Sequence, residues 1–147
     1  MVFRAFALFL LSCPLRSAYP SEWRDPFPAH RVIGNVYLVG SVGLAAYLIS
    51  TNRGHILINS NLKSSPALIR KSVETLGFRF EDIQILLISH SHWDHAAGSA
   101  EVKRLTKAKF MAMSLDIPEI EDGGRSNYKY ESDPATHLKP AHVGHVL

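Results

Sequence analysis

The chain has 147 residues, a one-domain length, and its composition of 46% hydrophobic and 20% charged residues is ordinary for a globular protein. The formal net charge is +3, but residues 1–18 hold two of the 16 basic residues, Arg4 and Arg16, and no acidic residue. The remaining chain is therefore nearly neutral. This net charge is too small for a surface that binds nucleic acid through its phosphates, so we expect no nucleic-acid partner.

Residues 1–18 have the pattern of a secretory signal peptide. Arg4 gives a short positive region, residues 5–11 form an apolar core, and residues 17 and 18 are small enough for cleavage. The apolar run is shorter than the roughly 20 residues that span a bilayer, so no transmembrane span is expected. A buried amino-terminal helix is the alternative. The pattern predicts a bacterial protein that is secreted or periplasmic.

Cys13 is the only cysteine and lies inside this leader, so the mature chain is not expected to form a disulfide. Residues 10–13 also resemble the cleavage box of a bacterial lipoprotein. By that route Cys13 would become an acylated first residue and anchor the protein to a membrane. Pro14, directly after it, disfavours this route, and the other alternative is a cysteine that acts as a small hydrophobe.

Residues 19–31 contain three prolines together with Trp23 and Phe27. Proline at this density predicts an extended segment, because the proline ring fixes its own backbone and restricts the residue before it. We expect the two aromatic rings to pack this segment against the domain. The alternative is that they border a substrate cleft.

The next segments predict a meander of strands and then alternating helices and strands. Ser65 is predicted as the N-cap of the first helix, Pro66 as its first residue and Gly77 as its end. Residues 125–138 predict a long loop that is either functional or disordered. The predicted strands cover residues 32–39, 44–50, 55–59, 85–88, 109–113 and the beginning of one at 142–147, and the predicted helices cover residues 65–76, 99–106 and 116–121.

The residues with the most chemical information directly follow the apolar strand at 85–88. Three imidazoles and one carboxylate, ligands that suit zinc, fall within a few positions: His90, His92, Asp94 and His95. Residues two apart in an extended chain point the same way, so His90 and His92 can converge on one metal. Asp94 and His95 follow the start of a turn and can face a second metal. Four exposed polar residues in a loop are the alternative.

This motif, with its preceding strand and the small residues 96–99 after it, resembles that of the metallo-β-lactamase superfamily. Residues 39–49, 56–62 and 123–125 are similar to the third subclass of class B β-lactamases, whose metal ligands include no cysteine. The resemblance begins near Val32 and covers only the amino-terminal half of the family's domain.

The resemblance implies an α+β fold, the αββα sandwich of this superfamily. The chain would supply about the first half of it, as one mixed or antiparallel sheet with helices. The expected organisation is a signal peptide at 1–18, an extended segment at 19–31 and a partial metallo-β-lactamase domain at 32–147.

The resemblance also implies two Zn²⁺ ions per complete site, one on His90 and His92 and one on Asp94 and His95. A hydroxide held by the metals would open the ring of a small-molecule β-lactam, which confers antibiotic resistance, and Asp94 would act in catalysis by orienting it. Asn59, where many members carry aspartate, and Ser89 would support the ligands through hydrogen bonds. A simple turn role is the alternative for Asn59.

The motif supplies only two ligands per metal, whereas the family completes each set with a histidine from later glycine-containing loops. We do not expect the later histidines, His137, His142 and His145, to bind metal. Half a sandwich would also expose apolar side chains at roughly 1.5–3 kcal/mol each, against a net stability of about 5–15 kcal/mol. We therefore expect a truncated chain that is marginally folded, self-associating or dependent on a partner.

Three functions are compatible with these residues. The leader and the lactamase-like segments favour a secreted zinc hydrolase of β-lactams. A hydrolase of thioesters or phosphodiesters in the same superfamily would share the motif. The incomplete ligand sets favour a catalytically inactive metal-binding fragment.

Overall fold

The computed structural model describes residues 19–147, so the predicted signal peptide and the predicted lipid anchor at Cys13 lie outside the described residues. The strands within this range are β1 His30–Ile33, β2 Val36–Leu38, β3 Tyr47–Ile49, β4 His55–Ile58, β5 Ile83–Leu87, β6 Lys109–Ala112 and β7 His145–Val146. The α-helices are α1 Ser65–Thr75, α2 Trp93–Ala96, α3 Ser99–Thr106 and α4 Ile117–Asp122, and short 3₁₀ turns lie at Ser21–Trp23, Phe80–Asp82 and Pro134–Thr136. No helix in this part of the chain is long and apolar enough to cross a membrane.

The strands form one mixed sheet in the order β1-β2-β3-β4-β5-β6-β7. The first four pair antiparallel, as the predicted meander requires. From β4 to β7 each strand pairs parallel with the next. Parallel neighbours need crossover connections, and the helices provide them. The expectation of one mixed sheet with helices is confirmed.

A row of large apolar side chains crosses the middle of the sheet. The strand register places Leu48 beside Leu57, Leu57 beside Leu86 and Leu86 beside Phe110. Each of these side chains is at most 1% exposed. Buried residues of α1 and α3 belong to the same core, namely Ile69, Val73 and Val102. This core fixes the strands whose ends carry the metal-binding motif.

The single strand predicted over residues 32–39 is wrong, because the chain reverses direction at Gly34. Gly34 adopts φ +53°, a left-handed conformation that glycine tolerates, and Ile33 pairs with Val36 across the turn. The segment predicted as extended is also only partly so. It contains the 3₁₀ turn Ser21–Trp23, and its end forms the first part of β1.

The predicted start of α1 is off by one residue. Ser64, not Ser65, is the N-cap, and its side chain makes no capping hydrogen bond. The Ser65 hydroxyl instead accepts a hydrogen bond from the Leu62 N–H at 3.2 Å. Gly77 follows the last helical turn with φ +85°, as expected for a residue that ends a helix.

Candidate metal centre

The metal-binding motif occupies the connection between β5 and α2. Ile88 continues the sheet beyond β5, since its N–H donates to the carbonyl of Met111 at 3.1 Å. His92 is the N-cap of α2, and its carbonyl accepts the N–H groups of His95 and Ala96. The motif therefore lies where a buried strand is followed by a helix, as predicted. In α/β folds, binding and active sites form at the carboxyl ends of the strands.

The structure brings three of the four predicted ligands together. One ligand atom from each of His90, Asp94 and His95 lies within 4.8 Å of the others, and all three residues are half-buried. The rings of His90 and His95 have centroids 4.0 Å apart, and His95 Nε2 is 3.5 Å from Asp94 Oδ2. Imidazole nitrogens and a carboxylate at this spacing have the right chemistry for a zinc ion.

His92 stands outside this group of three. Its ring lies 4.8 Å from the His90 ring and 5.5 Å from the ring of Tyr130, measured between centroids, and it meets both edge-on. His92 therefore lies next to the cluster and contacts it through the ring of His90. How the four ligands divide between two metals stays a prediction.

Burial and the neighbouring imidazoles lower the pKa of His95. Burial lowers the pKa of its ring below the usual 6.5, His90 and His92 lower it further, and the Asp94 carboxylate offsets part of this effect. A lowered pKa keeps His95 neutral at physiological pH. A neutral ring has a lone pair available for a metal, which a protonated ring lacks.

Asn59 lies under the motif at the end of β4 and contacts two of its residues. Its Oδ1 accepts hydrogen bonds from the backbone N–H and the hydroxyl of Ser89, both at 3.0 Å. Its Nδ2 is 3.1 Å from His95 Nδ1. Asn59 is only 7% exposed and adopts φ +64°, a left-handed conformation in which asparagine is enriched. Both residues expected to support the ligands therefore lie against the cluster.

The same loop holds the backbone of α2. The N–H groups of Ser60 and Asn61 both donate to the carbonyl of His95, at 2.9 and 3.0 Å. Gly98 makes this approach feasible, because a Cβ on it would lie 2.4 Å from the Ser60 carbonyl oxygen. The ligand loop is thus anchored to β4 by backbone contacts as well as by Asn59.

Three contacts of the motif come from distant parts of the chain. Asp116 Oδ1 accepts the N–H of Ser91 at 3.1 Å. Tyr130 reaches His92, as described above, and the Trp93 ring packs against Tyr19 and Trp23 at centroid distances of 4.2 and 5.3 Å. The sequence predicts that both Trp23 and Phe27 pack against the domain; Trp23 does, whereas Phe27 is 39% exposed and its ring lies beside that of His30. Nothing in the sequence singled out Asp116 or Tyr130, because neither lies in a recognisable motif.

The loop predicted at residues 125–138 is structured around Asn127, which is 4% exposed. The Asn127 Oδ1 accepts the N–H groups of Lys129 and Tyr130, and its Nδ2 donates to Glu119 of α4 at 2.8 Å. This arrangement fixes the backbone of Tyr130, and so its approach to His92.

The later histidines have other partners or positions. His137 Nε2 lies 3.1 Å from the Glu131 carbonyl, and His142 Nδ1 lies 2.7 Å from Glu121 Oε1. His145 belongs to β7. None of the three joins the cluster of His90, Asp94 and His95 within residues 19–147.

Comparisons with known proteins agree with this geometry. The model of the metallo-beta-lactamase superfamily matches residues 33–145. The FEZ-1 metallo-beta-lactamase from Legionella gormanii is 49% identical with a TM-score of 0.84, over 88% of this chain and 48% of that one. The class B3 di-zinc metallo-beta-lactamase LRA-12 from an Alaskan soil metagenome is 34% identical with a TM-score of 0.84, over 89% of this chain and 49% of that one.

A more distant match comes from a curated protein, a UPF0173 metal-dependent hydrolase of Pyrococcus abyssi. It is 31% identical over 72 residues, which are 49% of this chain and 29% of that protein. The chain spans about half the length of the two solved structures and less of this relative. With the sheet, the ligand cluster and the family model in agreement, the chain belongs to the metallo-beta-lactamase superfamily.

Proposed function

We propose that the protein containing this chain is a zinc-dependent hydrolase that opens the ring of β-lactam antibiotics in the periplasm or outside the cell. The observation that carries the proposal is the convergence of His90, Asp94 and His95 within 4.8 Å at the end of a buried strand. The similarity to solved metallo-beta-lactamases, at 49% identity for FEZ-1, supports the choice of substrate class.

In this proposal His90 and His92 hold one zinc ion, and Asp94 and His95 hold the other. When bound, zinc lowers the pKa of water to about 7 and supplies positive charge for the developing oxyanion. A catalytic zinc usually has three protein ligands, so each ion needs one more than the motif supplies.

The chain's own residues have distinct tasks in this chemistry. Asp94 faces His95 Nε2 through Oδ2 at 3.5 Å, and its carboxylate can also accept a hydrogen bond from the attacking water and orient it. Asn59 and Ser89 hold His95, because Asn59 Nδ2 lies 3.1 Å and the Ser89 hydroxyl 3.5 Å from its Nδ1. Tyr130 borders the cluster on the side of His92.

A second candidate is a hydrolase of thioesters or phosphodiesters with the same metal site. It is favoured by the similarity to the Pyrococcus metal-dependent hydrolase, whose description gives no lactam substrate. A third is a metal-binding form without turnover.

The test is hydrolysis of a chromogenic cephalosporin by the zinc-loaded protein. We expect turnover that a chelator abolishes and added zinc restores. The substitution His90→Ala should also abolish turnover. His30→Ala is the matched control, because His30 is exposed and contacts the Pro28 carbonyl outside the cluster. Zinc binding with cleavage of a thioester or phosphodiester, but not of the cephalosporin, would favour the second candidate. Zinc binding without any turnover would favour the third.

A further inference from the structure

The amide of Asn59 has only one orientation that its neighbours accept. The backbone N–H of Ser89 can only donate, and it lies 3.0 Å from one end of this amide. That end must be the oxygen, so the Asn59 NH₂ group must face His95 Nδ1 at 3.1 Å. The assignment follows from the fixed chemistry of a backbone donor.

This orientation dictates where the proton of a neutral His95 ring lies. An NH₂ group only donates, so its hydrogen bond to His95 at 3.1 Å needs a lone pair on Nδ1. The proton of the neutral ring then belongs on Nε2. Nε2 faces the Asp94 carboxylate at 3.5 Å, which also favours a proton at that nitrogen.

Zinc binding through Nε2 requires the opposite tautomer. A neutral histidine that coordinates a metal through one nitrogen carries its proton on the other, and it normally donates that proton to an acceptor. In this site the proton on Nδ1 would face the NH₂ group of Asn59, a second donor, at 3.1 Å, and the acceptor left to it would be the Ser89 hydroxyl oxygen at 3.5 Å.

We propose that Asn59 is a positioning residue that holds metal-free His95 with its proton on Nε2 and thereby weakens zinc binding by Asp94 and His95. An aspartate at position 59 would remove the conflict, because its two oxygens could accept from both Ser89 and His95 Nδ1–H. The weakened zinc site rests on the proposed function, whereas the tautomer concerns the metal-free chain alone.

The test is nitrogen NMR of the histidine rings in labelled, metal-free protein at about pH 8, well above the ordinary histidine pKa. The His95 signals are assigned by their loss in His95→Gln. We expect the shift pattern of an Nε2–H ring for His95 in the parent and of an Nδ1–H ring in Asn59→Asp. A histidine-containing peptide in the same buffer provides the averaged pattern of an unconstrained ring.

A His95 pattern of Nδ1–H in the parent, or the averaged pattern of the free peptide, would overturn the proposal. A zinc titration of both proteins adds a second measure. We expect the weaker of the two zinc sites to tighten by about tenfold or more in Asn59→Asp. Tightening without the change of tautomer would assign the effect to the added charge and refute the proposal.

These outcomes are separable from those of the lactam assay. Cephalosporin turnover by a protein with Nδ1–H at His95 would refute only the role of Asn59. An Nε2–H ring in a protein without lactam turnover would refute only the proposed substrate.

Discussion

The carboxylate of Asp116 accepts the backbone N–H of Ser91, with 3.1 Å between Oδ1 and the nitrogen. Ser91 lies between the predicted ligands His90 and His92, and Asp116 is the residue before α4. This hydrogen bond therefore ties the ligand loop to the segment that follows β6. It holds the backbone from which both imidazoles project.

Removal of this acceptor is expected to weaken zinc binding. Residues that support metal ligands typically contribute a factor of about 10–100 in affinity, so we expect Asp116→Ala to raise the zinc dissociation constant about tenfold or more. Asp116→Asn keeps an oxygen acceptor and should change it much less. Asp122→Ala, at the other end of α4, is the control. Competition with a chromogenic chelator gives the constants, and equal values for Asp116→Ala and Asp122→Ala would contradict this role.

Trp23 and Trp93 form an aromatic pair that joins the amino-terminal segment to the first residue of α2. Such pairs contribute about 0.5–1.5 kcal/mol beyond the area that they bury. We expect this coupling energy from a double-mutant cycle with Trp23→Ala and Trp93→Ala in urea unfolding. The same cycle with Phe27→Ala in place of Trp23→Ala should give none, since Phe27 is 39% exposed and contacts His30. Additive effects of the two tryptophan substitutions would argue against a coupled pair.

The leucine row is expected to dominate the stability of the sheet. Leu57 lies between Leu48 and Leu86 and is fully buried, so Leu57→Ala leaves a cavity that the neighbours cannot fill. We expect the free energy of unfolding to fall by about 2–5 kcal/mol. Val32→Ala on β1, where the side chain is 52% exposed, should change it by less than about 0.5 kcal/mol. Denaturant midpoints with an unchanged slope measure both, and similar losses for the two would be inconsistent with this core.

The lowered pKa of His95 predicts a pH dependence with a definite sign. Below the ordinary histidine pKa of 6.5 the unfolded state binds a proton that folded His95 resists, so acid favours unfolding. In metal-free protein the His95 contribution should therefore destabilise the fold as pH falls below 6.5, down to the folded pKa. Asp94→Asn removes the charge that raises this pKa and should lower it further.

An NMR titration of the His95 ring measures this shift directly. We expect a midpoint below 6.5 in the parent and a lower one in Asp94→Asn. A midpoint above 6.5 in the parent would mean that the attraction of Asp94 exceeds the effects of burial and of the other imidazoles.

The architecture follows from local patterns to a large extent. The apolar runs at β4, β5 and β6 and the periodicity of α1 and α3 predict elements that the structure contains. The hairpin between β1 and β2 has a local signal that the prediction of a single strand over residues 32–39 overlooks, because Gly34 and Asn35 are two turn-forming residues between apolar neighbours. The helix cap at Ser65 escapes local patterns, since the Ser65 hydroxyl serves the Leu62 N–H instead.

Part of the candidate site can likewise be predicted from local sequence, and part cannot. The dense spacing of His90 to His95 makes the ligands recognisable, and Asn59 follows from its place after a strand. Asp116 and Tyr130 reach the motif from 25 or more residues away, through the sheet order and the turn built on Asn127. Such contacts depend on tertiary packing, which no local pattern encodes.

The most direct test of the central claim is the amount of zinc that the purified protein retains after excess metal is removed. We expect bound zinc in the parent and in Asp25→Ala, whose carboxylate lies outside the cluster, and clear loss of zinc in Asp94→Ala and His95→Ala. A parent protein that retains no zinc, or ligand variants that retain as much as the parent, would contradict a metal centre at the end of β5.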